Sequence, residues 1–156
     1  MGGYLKSAAL GAGVLLMSAA LCCTYARADD TPAGCSKEDF ESVAEQAAGS
    51  LRDLNSLNRP QFQEKLRALK DKRHWTHDEF LEKAKPFVKD DKTVVYDKTT
   101  DELLSAIASM GQEGAAAEKP DCTRMTELRA RMKSLVDTQT AKWSYMFQKL
   151  DAELAN

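Results

Sequence analysis

From Asp121 to Asn156 the chain places apolar residues at Met125, Leu128, Met132, Leu135, Val136, Trp143, Met146, Phe147, Leu150 and Leu154. These steps of three and four return to one face of a 3.6-residue helix. At 1.5 Å per residue such a helix is roughly 50 Å long, more than one short partner can cover. Its apolar face has to be buried, so the remaining helices must be laid along it. The expected fold is all-α: a helical bundle organised around one long C-terminal helix.

The other end of the chain reads as an export address. Lys6 supplies a positive start, Ala8 to Leu21 an apolar stretch too short to span a bilayer well, and Ala26-Arg27-Ala28 an A-x-A cleavage site. The mature chain is expected to begin at Asp29. Cys22 and Cys23 raise a lipoprotein alternative, but Leu21 precedes the first and Cys22 the second, where lipoprotein cleavage usually wants Gly or Ala. No second apolar stretch reaches spanning length, so the expectation is an exported protein of the periplasm or extracellular space, without a transmembrane span in its mature chain. About 128 residues remain of the 156, the size of one domain. Residues 29–35 read as a leader and 36–156 as a single helical-bundle domain.

Two of the four cysteines leave with the address, and Cys35 and Cys122 remain. In an oxidising compartment the simplest outcome is one disulfide, a staple rather than a redox pair of the C-x-x-C kind. It closes a loop of roughly 87 residues, for which loop-closure entropy gives about 4.6 kcal/mol at most. Each cysteine sits just before an expected helix start, so the bond should bring the N-termini of the first and last helices within roughly 6 Å, Cα to Cα.

Between these points the sequence spells further helices. Ser36 caps a first helix with Glu38, Asp39 and Glu41 in its first turns, and Phe40, Val43, Ala44, Ala47, Leu51 and Leu54 form its buried stripe. The small residues Ala47 to Ser50 are expected to face a large one such as Trp143 or Phe147. Asn58 and Pro60 announce a second helix, with Phe62, Leu66 and Leu69 on its apolar side and an end near His74 and Trp75. Thr76 and Glu79 form a capping box for a third, whose core positions are Phe80, Leu81, Ala84, Phe87 and Val88 and which Pro86 should end or kink. Lys92 to Lys98, with Val94, Val95 and Tyr96, reads as an extended connection, a short helical turn being the alternative. Thr99 and Glu102 box a fourth helix carrying Leu103, Leu104, Ile107, Ala108 and Met110 inward, and Gly111 and Gly114 stop it.

Candidate chemistry is sparse. His74-Trp75-Thr76-His77-Asp78-Glu79 offers His74, His77 and Asp78 as ligands for a divalent metal, weighed against a solvated turn in which Thr76 and Glu79 already have a capping role. Met125, Met132 and Met146 recur at multiples of seven but share their face with leucines, which points to core packing. The basic run Lys65, Arg67, Lys70, Lys72 and Arg73 is a solvated helix face or a docking surface for an anionic partner.

After cleavage about 20 bases face 24 acids, a net charge of about −4 that does not favour nucleic acid. Both histidines share one turn and both mature cysteines form the staple, so neither completes a nucleophilic triad. Phosphate-binding Gly loop, haem-attachment motif and EF-hand loop are all missing from the sequence, and no cofactor is expected. In plan, a short exported helical chain with one disulfide is similar to small periplasmic chaperones and envelope-protein adaptors, and no motif transfers a residue from either. The leading expectation is a non-catalytic protein that binds a macromolecule, either a protein client in chaperone fashion or an envelope component. A small-ligand or metal carrier comes next, and an enzyme third.

Overall fold

A computed structural model describes residues 35–119 and 121–156, which form helices joined by short turns, with no strand among the described residues. The export address and residues 29–34 lie outside the described residues. Helix α1 spans Lys37–Lys72, α2 His77–Lys83, the single turn α3 Lys85–Val88, α4 Asp91–Ala116 and α5 Cys122–Ala155.

The start of α1 follows its sequence signal. Ser36 Oγ accepts the Asp39 N–H at 3.2 Å and the Asp39 carboxylate accepts the Ser36 N–H at 2.8 Å, a reciprocal capping box. The helix does not stop at Asn58: one helix of 36 residues replaces the two expected, with Pro60 inside it. Asn58 is no cap, since its side-chain amide donates to the Leu54 carbonyl at 2.7 Å. Proline withholds the N–H that would have reached the Ser56 carbonyl and its ring crowds that carbonyl, but Ser56 is exposed, so water can take the missing place. Burial on both sides of Pro60 outweighs the defect, with Val43 and Ala47 before it and Phe62, Leu66 and Leu69 after it. Ala44, expected in the stripe, is exposed.

At the C-terminus of α1 the His74 N–H donates to the Asp71 carbonyl at 3.1 Å and the Trp75 N–H to the Lys70 carbonyl at 3.0 Å. This pair of bonds is a Schellman motif, and it requires the left-handed backbone that His74 adopts, φ 53°. Trp75 then folds onto the core beside Leu69. Thr76 and Glu79 cap α2 as expected. Pro86 does break the helix, and it sits in the first turn of α3, where a missing N–H costs nothing. Phe87 is buried, whereas Leu81 and Val88 are exposed rather than in the core.

Helix α4 overturns two expectations. Lys92 to Lys98 is neither extended nor a short turn but the beginning of a 26-residue helix capped by Asp90. Thr99 is interior, its hydroxyl donating to the Val95 carbonyl at 3.0 Å, so Thr99 and Glu102 box nothing. The face that turns inward here is Thr93, Tyr96, Asp97 and Thr100, while Val94 and Val95 point to solvent. Tertiary hydrogen bonds thereby override the β-propensity of the run. Neither glycine stops the helix, which continues to Ala116. At Gly114 the Phe40 ring approaches closely enough that a Cβ would meet it at 3.6 Å. Leu104 and Ala108, expected inward, are exposed.

The long C-terminal helix is the spine, with α1 and α4 packed along it. Cys35 and Cys122 are bonded with Cα atoms 5.0 Å apart, 87 residues apart in sequence. Further along, Trp143 Nε1 donates to Asn55 Oδ1 across 88 residues, and Lys65 pairs with Asp151 across 86. A constant offset means that α1 and α5 run parallel and in register. Against α4 the pairs are Glu113 with Arg124, Thr100 with Gln139, Asp97 with Lys142 and Asp90 with Lys149, the order of an antiparallel neighbour.

That register corrects the expected neighbour of the small-residue run. An offset of about 87 places Ala47 beside Met132 to Val136 and brings Trp143 and Phe147 to Phe62. Phe62 meets both rings edge to face, 5.8 Å from Trp143 and 5.5 Å from Phe147, while Trp143 and Phe147 are tilted against each other at 6.1 Å. Two apolar clusters result, one around Phe62, Leu69, Phe87, Met146 and Leu150, the other around Cys35, Val43, Met125 and Leu128. The methionine series belongs to these clusters.

His74 is the residue at which this fold works against its own sequence. His74→Gly removes the Cβ from a left-handed position and is expected to raise unfolding stability by about 1 kcal/mol. Urea midpoints of the two chains measure it, and an unchanged or lower midpoint for the variant contradicts the assignment.

Candidate functional site

The parallel packing of α1 on α5 leaves a groove of about 310 Å³ between them. Val43 and Ala47 of α1 and Met132 and Val136 of α5 form its apolar floor. Exposed Gln46, Ser50, Arg129, Lys133 and Asp137 form the rim, where Lys133 and Asp137 pair at 2.5 Å. The groove exists because α1 contributes only small residues where the facing turn of α5 contributes Met132 and Val136. A second hollow of about 240 Å³ lies by Asn55, Val88, Gln139 and Trp143, more polar and partly closed by the bond from Trp143 to Asn55.

Each residue singled out in the sequence has a definite place. His74 is exposed and terminates α1, His77 is the exposed first residue of α2, and Asp78 is exposed beside it. No group of three or more His, Cys, Asp or Glu among the described residues comes together as metal ligands.

In the basic run, Lys65 pairs with Asp151, Lys72 Nζ donates to the Leu154 carbonyl at 2.6 Å, and Arg73 donates to the Glu153 carboxylate at 3.0 Å and its carbonyl at 3.4 Å. Lys70 lies 5.9 Å from the centre of the Phe80 ring, and Arg67 donates to the Gln63 carbonyl at 3.3 Å. Lys72 and Arg73 thus satisfy terminal carbonyls of α5 that have no partner within the helix. The strip fastens two helix ends together.

Sequence reasoning missed the polar cluster where α4 begins. Asp90 accepts the Thr93 N–H at 2.8 Å, the Tyr145 hydroxyl at 2.6 Å and the Lys149 ammonium, which also donates to the Pro86 carbonyl. The Tyr145 ring receives Lys92 at 4.3 Å and Lys149 at 5.3 Å from its centre, both within cation–π range. Lys149 first, then Tyr145 and the Thr93 N–H, hold the Asp90 carboxyl far below the usual carboxylate range. Donation to Asp90, followed by burial, pushes the Tyr145 phenol up.

Two other carboxylates are lowered, and both cap helices: Asp39, chiefly by the Ser36 hydroxyl, and Glu79, chiefly by the Thr76 N–H. One sequence signal was present for the missed cluster. Tyr145 and Lys149 stand four apart on α5 and so share a face, but nothing local connects them to Asp90.

Comparison with protein-family models, curated proteins and solved structures finds no match to this chain.

A carboxylate with a lowered folded pKa stabilises the fold above its ordinary value of about 3.9, and that contribution is lost as pH falls toward the lower folded value. Asp90→Asn keeps an N-capping side chain but loses the charge facing Lys149. The variant is expected to be less stable at pH 7 and to lose less stability than the parent between pH 5 and pH 2. Urea titrations across that range check this, and parallel pH profiles for the two chains contradict it.

Proposed function

We propose that this chain is an exported, non-catalytic helical protein that binds a protein partner, and that the groove between α1 and α5 receives the partner's apolar side chains. The observation that carries the reading is a groove open to solvent, floored by buried Val43 and Ala47 and half-buried Met132 and Val136 and rimmed by charges of both signs. Such a surface takes up leucine- or phenylalanine-sized groups, while its rim keeps it from closing on another apolar face.

Export is supported by the Cys35–Cys122 bond, which belongs to oxidising compartments. Among the described residues no helix is long and apolar enough to cross a membrane. The non-catalytic part rests on where the perturbed groups lie. Asp39, Glu79 and Asp90 are stabilised anions fastened at helix N-termini, and Tyr145 is tied to Asp90. A base for proton transfer at neutral pH needs the opposite shift. A protein client, taken in chaperone fashion, fits the groove better than a highly charged envelope polymer, because the floor offers apolar area rather than clustered charge.

The test uses a permanently unfolded protein, reduced and carboxymethylated lactalbumin carrying a fluorophore, titrated with the mature chain. Fluorescence anisotropy should report binding. Ser50→Trp, which fills the groove from an exposed position, should weaken it at least about tenfold, or 1.4 kcal/mol. Leu57→Ala removes an apolar group 62% exposed outside the groove and should leave binding unchanged. Absence of binding, or equal affinity of parent and Ser50→Trp, contradicts the reading.

A further inference from the structure

The disulfide that joins α1 to α5 has two unlike ends. Cys35 is 3% exposed and belongs to the cluster of Val43, Met125 and Leu128, with the Phe40 ring packed against it. Cys122 is exposed, opens α5, and lies between exposed Asp121 and exposed Thr123. Thiol–disulfide exchange proceeds by attack of a thiolate on one sulfur while the other departs, so access selects the sulfur that is attacked.

We propose that Cys122 is a thiol-exchange site, at which a small thiol of the glutathione class forms a mixed disulfide. The entering thiolate attacks Cys122 Sγ and a new S–S bond forms there. The Cys35–Cys122 bond breaks, and the Cys35 sulfur leaves with the electron pair and takes a proton from water. Two electrons remain in the thiol pool, since one thiol is consumed and one released, and no further oxidant or reductant takes part.

The surroundings allow the bond to open without dismantling the bundle. Asp121 Oδ1 accepts the Thr123 N–H at 2.9 Å and the Arg124 N–H at 3.3 Å, so the first turn of α5 is capped independently of the disulfide. Arg124 also bridges to Glu113 of α4 at 2.8 Å. On the other side the Ser36–Asp39 box still closes the start of α1. The adduct therefore sits at the surface, and the released Cys35 thiol remains among apolar side chains. Cys122 itself lies outside the lining of the binding groove.

The experiment uses the full mature chain, incubated with reduced glutathione at pH 8 and sampled before the dithiol form accumulates. Each sample is acid-quenched, unfolded and treated with maleimide, and the peptides are mapped by mass spectrometry. The expected result is at least ten glutathione adducts on Cys122 for each one on Cys35, with maleimide on the partner Cys35. An even division, a majority on Cys35, or an intact disulfide without any adduct overturns the proposal.

Discussion

Two long helices lying side by side in the same direction bring like ends together. Each carries roughly half a positive charge at its N-terminus and half a negative one at its C-terminus, so the parallel pair of α1 and α5 is opposed by its own dipoles. The structure answers at both ends. Where the N-termini meet, Cys35–Cys122 holds them covalently, and the carboxylates of Glu38, Asp39 and Asp121 supply negative charge to the two first turns. Where the C-termini meet, Lys72 and Arg73 of α1 donate to carbonyls in the last turn of α5. Exposed pairs of this kind contribute little each as Coulomb attraction. Their larger effect is to satisfy carbonyls that would otherwise depend on water alone and to pin the register of α1 on α5.

From that register the rest follows. The offset of about 87 residues sets Phe62 between Trp143 and Phe147, places the small residues near Ala47 opposite Met132 and Val136, and so produces one tightly filled cluster and one open groove along the same interface. On the other flank of α5 the character of the packing changes. The N-terminal half of α4 is held by Asp90, Asp97 and Thr100 bonding to Tyr145, Lys149, Lys142 and Gln139, and only its C-terminal half reaches the apolar cluster through Ile107 and Met110. Hydrogen-bonded seams specify alignment but bury less apolar area than the α1 interface does, so α4 is more easily loosened from the spine than α1.

Much of this was legible in the sequence, for reasons that particular residues make plain. The spine declared itself because the apolar stripe of α5 is long and regular. Ser36 and Thr76 declared two helix starts because an N-cap is a local signal. The break between Asn58 and Pro60 was misread for the same reason: the local signal was real, but burial of Phe62, Leu66 and Leu69 on the same spine carries the helix through it. Helix α4 was entered too late because its buried side is Thr93, Tyr96, Asp97 and Thr100, a polar stripe invisible to hydrophobic periodicity. The cross-helix partners of the basic run, Asp151, Glu153 and Leu154, were not legible because they lie eighty or more residues away. As for the groove, Ala47 to Ser50 gave one wall, and the opposite wall follows only when the disulfide offset is carried along both helices.

Hydrogen exchange on the oxidised and the reduced chain tests the central claim, that α5 is a spine on which a parallel α1 is pinned at both ends. In the oxidised protein the slowest amides should be those around Leu66 and Leu69 of α1 and Met146 and Leu150 of α5, with the N-terminal half of α4 exchanging sooner. On reduction, protection should fall in the first turns of α1 and α5 and persist around Leu69 and Leu150. The most protected amides lying in α4, or a uniform loss of protection along α1 and α5 on reduction, would contradict the account.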